Sequence, residues 1–433
     1  MLFSSHPRLS ILPLVHLRLL LGALGLGALL WSWFWKNDPE GRFLGRRFRF
    51  SYWGLEWLPY PGDLGVYALY MGAILGSLGV LLGAYFRFSA FLFFACFSYL
   101  HALDATHYIN HYYLLSLLYF LLALSPAGQA ISWDVRRGAV PPLSHIPAFY
   151  IWMFRLQLGL VYFFAGLAKL NSDWLLRAMP LRIWLLQSQD FPLLGPMFGS
   201  RYFAFGMSYL GAFYDLTIAF WLLWARTRPW AYLTVLGFHL LTGALFDIGL
   251  FPPLMMASTL IFFSGAEHER WARYWGYAPQ NGGLSQPLPF VLPFWAYGYW
   301  ALQFLLPLRA YVYSGNVLWT EQGYRFGWRV MLTEKEGWSE FRVKDLDDGR
   351  VWEVSPQQHL DGYQIKRMLG QPEHLRQYAR FLARDYALRE GIRRPAVYAD
   401  VFISLNARPS KRLLCPDCNL LEERPTADFI LSD

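Results

Sequence analysis

Charge is what this sequence has least of. Lys, Arg, Asp and Glu make up 16% of its 433 residues, against about 25% in soluble globular proteins. That shortage excludes an ordinary soluble enzyme, and the apolar content excludes a disordered chain. Cysteine is scarce as well, and three residues are too few for a disulfide framework. The continuous basic stripe of a nucleic-acid binder is missing, so no nucleic-acid partner is expected. Also missing are a P-loop, a G-x-G-x-x-G and a G-x-S-x-G motif in a strand–helix setting. There is no internal repeat and no low-complexity tract. What is present is apolar: 55% hydrophobic residues, with 20 Trp, 27 Tyr and 35 Phe.

The charges that remain divide the chain. Residues 1–306 hold 19 Lys and Arg and 12 Asp and Glu; residues 307–433 hold 19 and 18. The first part is apolar with a basic rim, which suits a lipid bilayer and anionic headgroups. The second has the balance of an extramembrane domain. A spanning helix needs roughly 20 apolar residues. Candidates lie at 11–35, 64–86, 88–104, 149–170, 202–225, 229–246 and 288–306, with shorter ones at 108–125 and 250–264. The expectation is a mainly α polytopic membrane bundle of eight or nine spans. The first is too long for a secretory signal core and reads as a retained helix.

Tryptophans such as Trp31, Trp35, Trp57, Trp133, Trp230 and Trp295 crowd the span ends, as in an aromatic belt. With the amino terminus inside and nine spans, the inner loops hold Arg136, Arg137, Arg226, Arg228, Arg270 and Arg273. The first outer loop holds Lys36, Arg42, Arg46, Arg47 and Arg49, so the positive-inside rule favours this topology if that loop is a folded segment. The chain then reads as a multi-pass protein of the cell membrane with its carboxy-terminal domain on the non-cytoplasmic side. In that domain, 327–334, 338–345, 350–355 and 396–405 read as strands, and Asp348-Gly349 as a hairpin turn. Residues 372–389 read as a helix opened by Pro372 and stopped by Gly391. The tail is expected to be a small, mostly β, α+β domain.

Ionisable residues inside spans are costly and commonly functional. Lys169 ends the run 160–174, LVYFFAGLAKLNSDW. Ala165, Gly166 and Tyr162 share its helical face. Two readings are open: a desolvated, neutral lysine acting as general base, or a lysine reaching to the headgroups and pairing with Asp173. On the first reading too, Lys169→Ala is expected to cost little stability, since alanine favours a helix and the lost partner, Asp173, lies near the interface. Arg155 lies on nearly the same face about 21 Å away, as a ligand or an interfacial anchor. His101, Asp104, His107, Asn110, His111 and His239 are further polar groups. The spacing of His107 and His111 would suit a metal on a helical face, but no third ligand is set by spacing, and no metal is expected. Asp215 and Asp247 are open as proton carriers or as partners for Arg. Cys415 and Cys418 form a lone C-x-x-C, read as a structural pair rather than a metal site.

The run 160–174 resembles the vitamin K-dependent gamma-glutamyl carboxylases. So do Arg155-x-Gln157, Arg182-x-Trp184-Leu185, Asn110-His111, Phe238-His239 and Asp247-Ile248-Gly249-Leu250-Phe251. In the tail, 318–331, 346–353 and 398–408 are similar to the family's post-membrane β-domain, in order. The resemblance covers nearly the whole chain. It implies that Lys169 deprotonates reduced vitamin K, of menaquinol or phylloquinol type. The anion takes up O2 and collapses to the epoxide through a strong base. That base removes a γ-proton from a glutamate of a protein or peptide substrate, and CO2 adds. No metal is implied. Asn110 and His111 would act with Lys169; His239, Tyr162 and Arg155 would hold the quinol; Trp319 and Tyr324 would lie where glutamate arrives. One departure stands out: Asn316 occupies a position where the family has Tyr, which bears on glutamate handling. Competing functions are a quinol epoxidase or lipid oxygenase without carboxylation, and a non-catalytic lipid-binding membrane protein.

Overall fold

The computed structural model of the protein describes residues 8–274, Gly276 and 294–431. Among the described residues, the longer helices of the apolar part are α1 (Leu12–Phe34), α2 (Gly62–Leu82), α3 (Phe86–Ala102), α4 (Asn110–Ala123), α5 (Ala148–Lys169), α6 (Arg201–Leu223), α7 (Arg228–Leu245), α8 (Phe251–Thr259), α9 (Gly265–Tyr274) and α10 (Phe294–Leu308), with shorter ones between them. Residues 288–293 of the last expected span lie outside the described residues. Two short strands, β1 (Arg8–Ser10) and β2 (His145–Pro147), pair antiparallel ahead of α1 and α5.

The expectation of eight or nine spans is met only in part. Among the described residues, four helices, α1, α2, α5 and α6, are long and apolar enough to cross a membrane. The expected spans at 108–125 and 250–264 shorten to 14 and 9 helical residues. A 14-residue helix rises about 21 Å, short of the roughly 30 Å of a bilayer core. The shortening has local causes. Residues 105–107 form a separate turn whose cap is Asp104, accepting from the Thr106 N–H at 2.9 Å. Pro252 and Pro253 confine the start of α8 to its first turn.

Connections gather at two ends. At one, the buried Arg18 of α1 donates to the carbonyls of Ala127 at 3.1 Å and Ala130 at 3.2 Å. Nearby, Asp134 accepts from the N–H groups of Tyr85 and Phe86, both at 2.9 Å. The α2–α3 turn and the α4–α5 linker are thereby tied together. Arg155 belongs to this end: it donates to the carbonyls of Ile261, Phe262 and Phe263 at 3.0–3.1 Å, satisfying carbonyls that the end of a helical segment leaves unpaired. Within the bundle α10 runs parallel to α5. The Tyr299 hydroxyl donates to Gln157 at 2.6 Å, and the Gln303 amide donates to Tyr113 at 3.1 Å.

At the other end the loops and the tail fold as one cap. The tail holds a four-stranded antiparallel sheet of β3 (Lys335–Asp345), β4 (Val351–Val354), β5 (Pro395–Leu405) and β6 (Lys411–Arg412), in the order β4-β3-β5-β6. Phe341 and Val343 on β3 face Ala399 and Val397 on β5. Helices α11 (Gly362–Leu369) and α12 (Pro372–Glu390) complete it. Leu375, Tyr378, Ala379 and Leu382 of α12 share a core with the sheet, at about 1.5–3 kcal/mol for each large apolar side chain buried. The expected helix and three of the four expected strands form. The fourth, 327–334, does not. Phe326, Trp328 and Met331 take φ of 58°, 54–55°, and a left-handed turn breaks a strand ladder. The tail is also less β than expected, since α12, with 19 residues, is longer than any of its strands. Cys415 and Cys418 are joined by a disulfide.

The cap's core takes in residues from outside the tail: Phe50, Ala105, Trp174, Leu181, Leu185 and Phe198. The basic loop after α1 is folded into it, with Arg42 paired to Asp38 at 3.1 Å and Arg46 paired to Asp361. The tightest link is Asp173. It is buried, and it accepts from Arg408 at 2.7 and 2.6 Å, from Asn406 at 2.8 Å and from Arg177 at 3.2 Å. Asp173→Ala should therefore lower stability by about 3 kcal/mol, the low end for breaking a buried pair, because Arg408 keeps some solvent contact. Thermal transitions in detergent check this: Asp173→Ala and Arg408→Ala together should cost clearly less than the sum of the two alone.

Candidate functional site

Lys169 is the last residue of α5, and Asp215 lies midway along α6. The two helices are pressed together at Gly166. A Cβ there would stand 2.6 Å from the Leu216 backbone nitrogen, so only glycine permits the approach. Three residues on, Lys169 Nζ donates to Asp215 Oδ2 at 2.6 Å, with both residues only 6% exposed. The Trp174 ring lies 5.3 Å from the ammonium, within cation–π range. That ring is fixed in turn, since its Nε1 donates to the Ser208 carbonyl at 2.8 Å and Ser208 Oγ donates to the Trp174 carbonyl at 2.6 Å.

The pair opens onto a narrow, largely apolar cavity. Its other polar groups are Tyr162, His239 and Thr242, and its walls include Leu181, Trp184, Phe238, Phe246 and Met255. Tyr162 and His239 Nε2 share a hydrogen bond at 3.1 Å. His239 Nδ1 is buried with no partner among the described residues. Val330 and Met331, from the left-handed stretch where the tail begins, close the cavity on the cap side. The mix of apolar walls with few polar groups is typical of small-molecule sites.

Of the residues singled out in the sequence, Lys169, Tyr162 and His239 meet in this cavity. Lys169 does not pair with Asp173, which is taken by Arg408, Asn406 and Arg177. Its partner Asp215 is 46 positions away, a distance no local spacing rule bridges. His111 packs against Phe251, ring centroids 5.9 Å apart, and Phe251 in turn against His239 at 5.7 Å; one ring separates it from the cavity wall. Asn110 donates to the Arg329 carbonyl at 3.0 Å and accepts from the Tyr108 hydroxyl at 3.0 Å, so it ties α4 to the start of the tail. Arg155 lies at the opposite end of α5, spent on carbonyls.

Trp319 is in the cap's core, its Nε1 donating to the Leu431 carbonyl at 2.9 Å. Tyr324 packs against the same core, and burial pushes its phenol up to about 12. Neither lines the cavity. His107 precedes α4 and bonds the Arg42 carbonyl at 3.2 Å, so it and His111 do not share a helical face. Gly166 is the functional residue that sequence reading missed as such. Its signal was a small residue one turn before an intramembrane lysine, which marks a close helix crossing.

The fold and the cavity define a helical membrane protein with an apolar cavity beside a buried lysine. Residues 8–266 match the HTTM domain family, and residues 290–432 match the vitamin K-dependent gamma-carboxylase lumenal domain. The chain belongs to the vitamin K-dependent gamma-carboxylase family. No solved structure matches it.

The Lys169–Asp215 geometry revises the expected cost of losing the lysine. Removing one member of a buried pair leaves the other charged and unpaired, at about 3–5 kcal/mol. Lys169→Met should show that loss in a thermal or denaturant transition. Lys169→Met with Asp215→Leu should recover most of it; a double variant as unstable as the single one would contradict the pairing.

Proposed function

We propose that this carboxylase-family protein oxidises a reduced vitamin K-type quinol in the Lys169 cavity and uses the oxidation to drive carboxylation of a protein glutamate. The observation that carries the reading is the meeting of the Lys169–Asp215 pair and the half-bonded His239 in one apolar cavity. A quinol hydroxyl has the pKa of a phenol, roughly 10, so at neutral pH it needs a base. Lys169 takes its proton when the amine is neutral. Asp215, in hydrogen-bond contact, is the positioning residue that aims the amine and can hold the proton the amine gives up. Burying both charges is costly, which favours sharing one proton between Nζ and Oδ2. The Tyr162 bond fixes His239 Nε2 and leaves Nδ1 for a quinol oxygen. Once deprotonated, the quinol supplies the electrons for O2 and the strong base for the γ-proton; CO2 is the third reactant. The apolar walls keep water from quenching that base.

In this reading the cap lies on the non-cytoplasmic side of the cell membrane. The chain crosses nine times, along α1–α8 and α10, with short helices reaching across where the protein itself surrounds them. Arg136, Arg137, Arg226 and Arg228 then face the cytoplasm, in keeping with the positive-inside rule. The extramembrane part is residues 307–433 together with the outer loops. Glutamate arrives past Val330 and Met331. A second reading, quinol oxidation without carboxylation, is favoured by one observation: Trp319 is locked in the cap's core, away from the cavity.

Purified protein in lipid nanodiscs, given reduced vitamin K, O2 and labelled bicarbonate, separates the two when epoxide and carboxyglutamate are scored independently. Lys169→Ala should cut epoxide formation about 10²–10⁴-fold, with partial recovery on adding a small primary amine. The Lys169→Ala/Asp215→Ala protein serves as the folded control. Full epoxide formation by Lys169→Ala without amine would contradict the assignment.

A further inference from the structure

A second concavity lies in the cap, away from the Lys169 cavity. It is an open cleft of about 350 Å³ lined by Tyr52, Trp53, Arg309, Tyr313, Arg325 and His374, among others. Its acidic residues have partners. Glu321 accepts from Lys335 at 2.8 Å, and Glu373 is bonded by Thr426. Its basic residues lack them. Arg325 makes no salt bridge within 4 Å among the described residues; the Glu321 carboxylate acts on it from farther off, and its guanidinium lies 5.6 Å from the Tyr52 ring centroid and 5.9 Å from that of Tyr108. Arg309 donates to the Arg325 carbonyl at 2.7 Å and likewise has no carboxylate partner among the described residues.

Two further features point the same way. The amino terminus of α12, a 19-residue helix, opens into the cleft, and its N-cap residue Gln371 makes no side-chain capping bond. Such a terminus carries a partial positive charge; Pro372 has no N–H and the His374 and Leu375 N–H groups are bonded to the Gln371 carbonyl at 2.9 and 3.2 Å, which leaves the Glu373 N–H as its available donor. His374, in the first turn, is 2% exposed, and its Nδ1 is buried without a partner among the described residues. Burial and the nearby Arg325 charge hold its pKa well below the usual histidine value, so the ring is neutral and can donate one hydrogen bond. A cleft with two guanidiniums that make no salt bridge, the positive end of a helix and a partnerless imidazole suits an anion.

The position of the cleft identifies the anion. Arg309 and Tyr313 directly follow α10, the last helix of the bundle. Trp53 is 91% exposed at the rim, and Tyr311, Val312 and Tyr313 are exposed beside it. Aromatic side chains that are open to the surroundings at a span end belong at the headgroup level of a bilayer. We propose that this cleft binds the phosphate of an anionic lipid headgroup in the outer leaflet, with Arg325 and Arg309 as its charged ligands and α12 and His374 as further donors. The site is independent of the quinol chemistry and stands whether or not that reading does.

The test uses the purified full chain in a neutral detergent and four probes: dihexanoyl phosphatidic acid, dihexanoyl phosphatidylcholine, inorganic phosphate and a glutamate-rich peptide. Binding is read by tryptophan fluorescence and by native mass spectrometry. The phosphatidic acid should bind at one site, more tightly than the phosphatidylcholine or inorganic phosphate, and more weakly as salt rises. Arg325→Gln should weaken it about tenfold or more, Arg309→Gln should weaken it less, and Arg325→Lys should keep part of it. An unchanged thermal transition in Arg309→Gln keeps the test valid if Arg325→Gln proves unstable. Equal binding of inorganic phosphate would overturn the lipid as source. Displacement of the lipid by the peptide, with the peptide binding more tightly, would assign the cleft to an acidic chain instead. Unchanged lipid binding in Arg325→Gln and Arg309→Gln would overturn the site altogether.

Discussion

Lys169 and Asp215 stand 2.6 Å apart in surroundings that are otherwise almost wholly apolar, and neither charge could stay there alone. That constraint reaches outward. The two residues meet only because α5 and α6 touch at Gly166, and a methyl group at that point would collide with the Leu216 backbone. Directly after Lys169 the chain turns into a short helix, where Asn171 caps the Trp174 N–H at 3.0 Å and Trp174 is locked back onto α6. The buried pair, the close crossing and the cap end of the bundle therefore form one arrangement, and the cavity is the space they leave.

The cap depends on the same junction. Asp173, four residues beyond Lys169, carries the bonds to Arg408 and Asn406 that hold the tail against the bundle. Asn110, at the start of α4, holds the Arg329 carbonyl, next to Val330 and Met331 of the cavity wall. Thus the residues that seat the tail flank those that line the cavity. A displaced cap would open the cavity to water, where a lysine and a carboxylate are solvated separately. Sealing the site and docking the tail are one structural task.

Much of this was legible in the sequence where the signal is local. Apolar runs gave the helices, and the alternation at 338–345 and 396–405 gave the central strands. Pro372 and Gly391 marked the ends of α12 within a residue. Lys169, Tyr162 and His239 carried their own chemistry and proved to be neighbours. What failed was non-local or backbone-driven. Asp215 could not be assigned to Lys169 because helix packing, not spacing, joins them. The alternating pattern at 327–334 looked like a strand, but Phe326, Trp328 and Met331 turn left-handed to lay the chain over the cavity. Arg155 and Trp319 carry groups suited to binding, yet the first is used up on helix-end carbonyls and the second on the Leu431 carbonyl. Sequence alone does not reveal that a donor is already occupied.

The central claim is that the Lys169 cavity holds the quinol. An experimental structure of the protein in nanodiscs, solved with a vitamin K quinone bound, tests it most directly. The account predicts the ring within the cavity, with one oxygen in hydrogen-bond reach of Lys169 Nζ and the other near His239 Nδ1. A ring found instead in the separate, smaller cavity lined by Asp38, Arg42, His101 and Tyr112, with the Lys169 cavity closed, would contradict it.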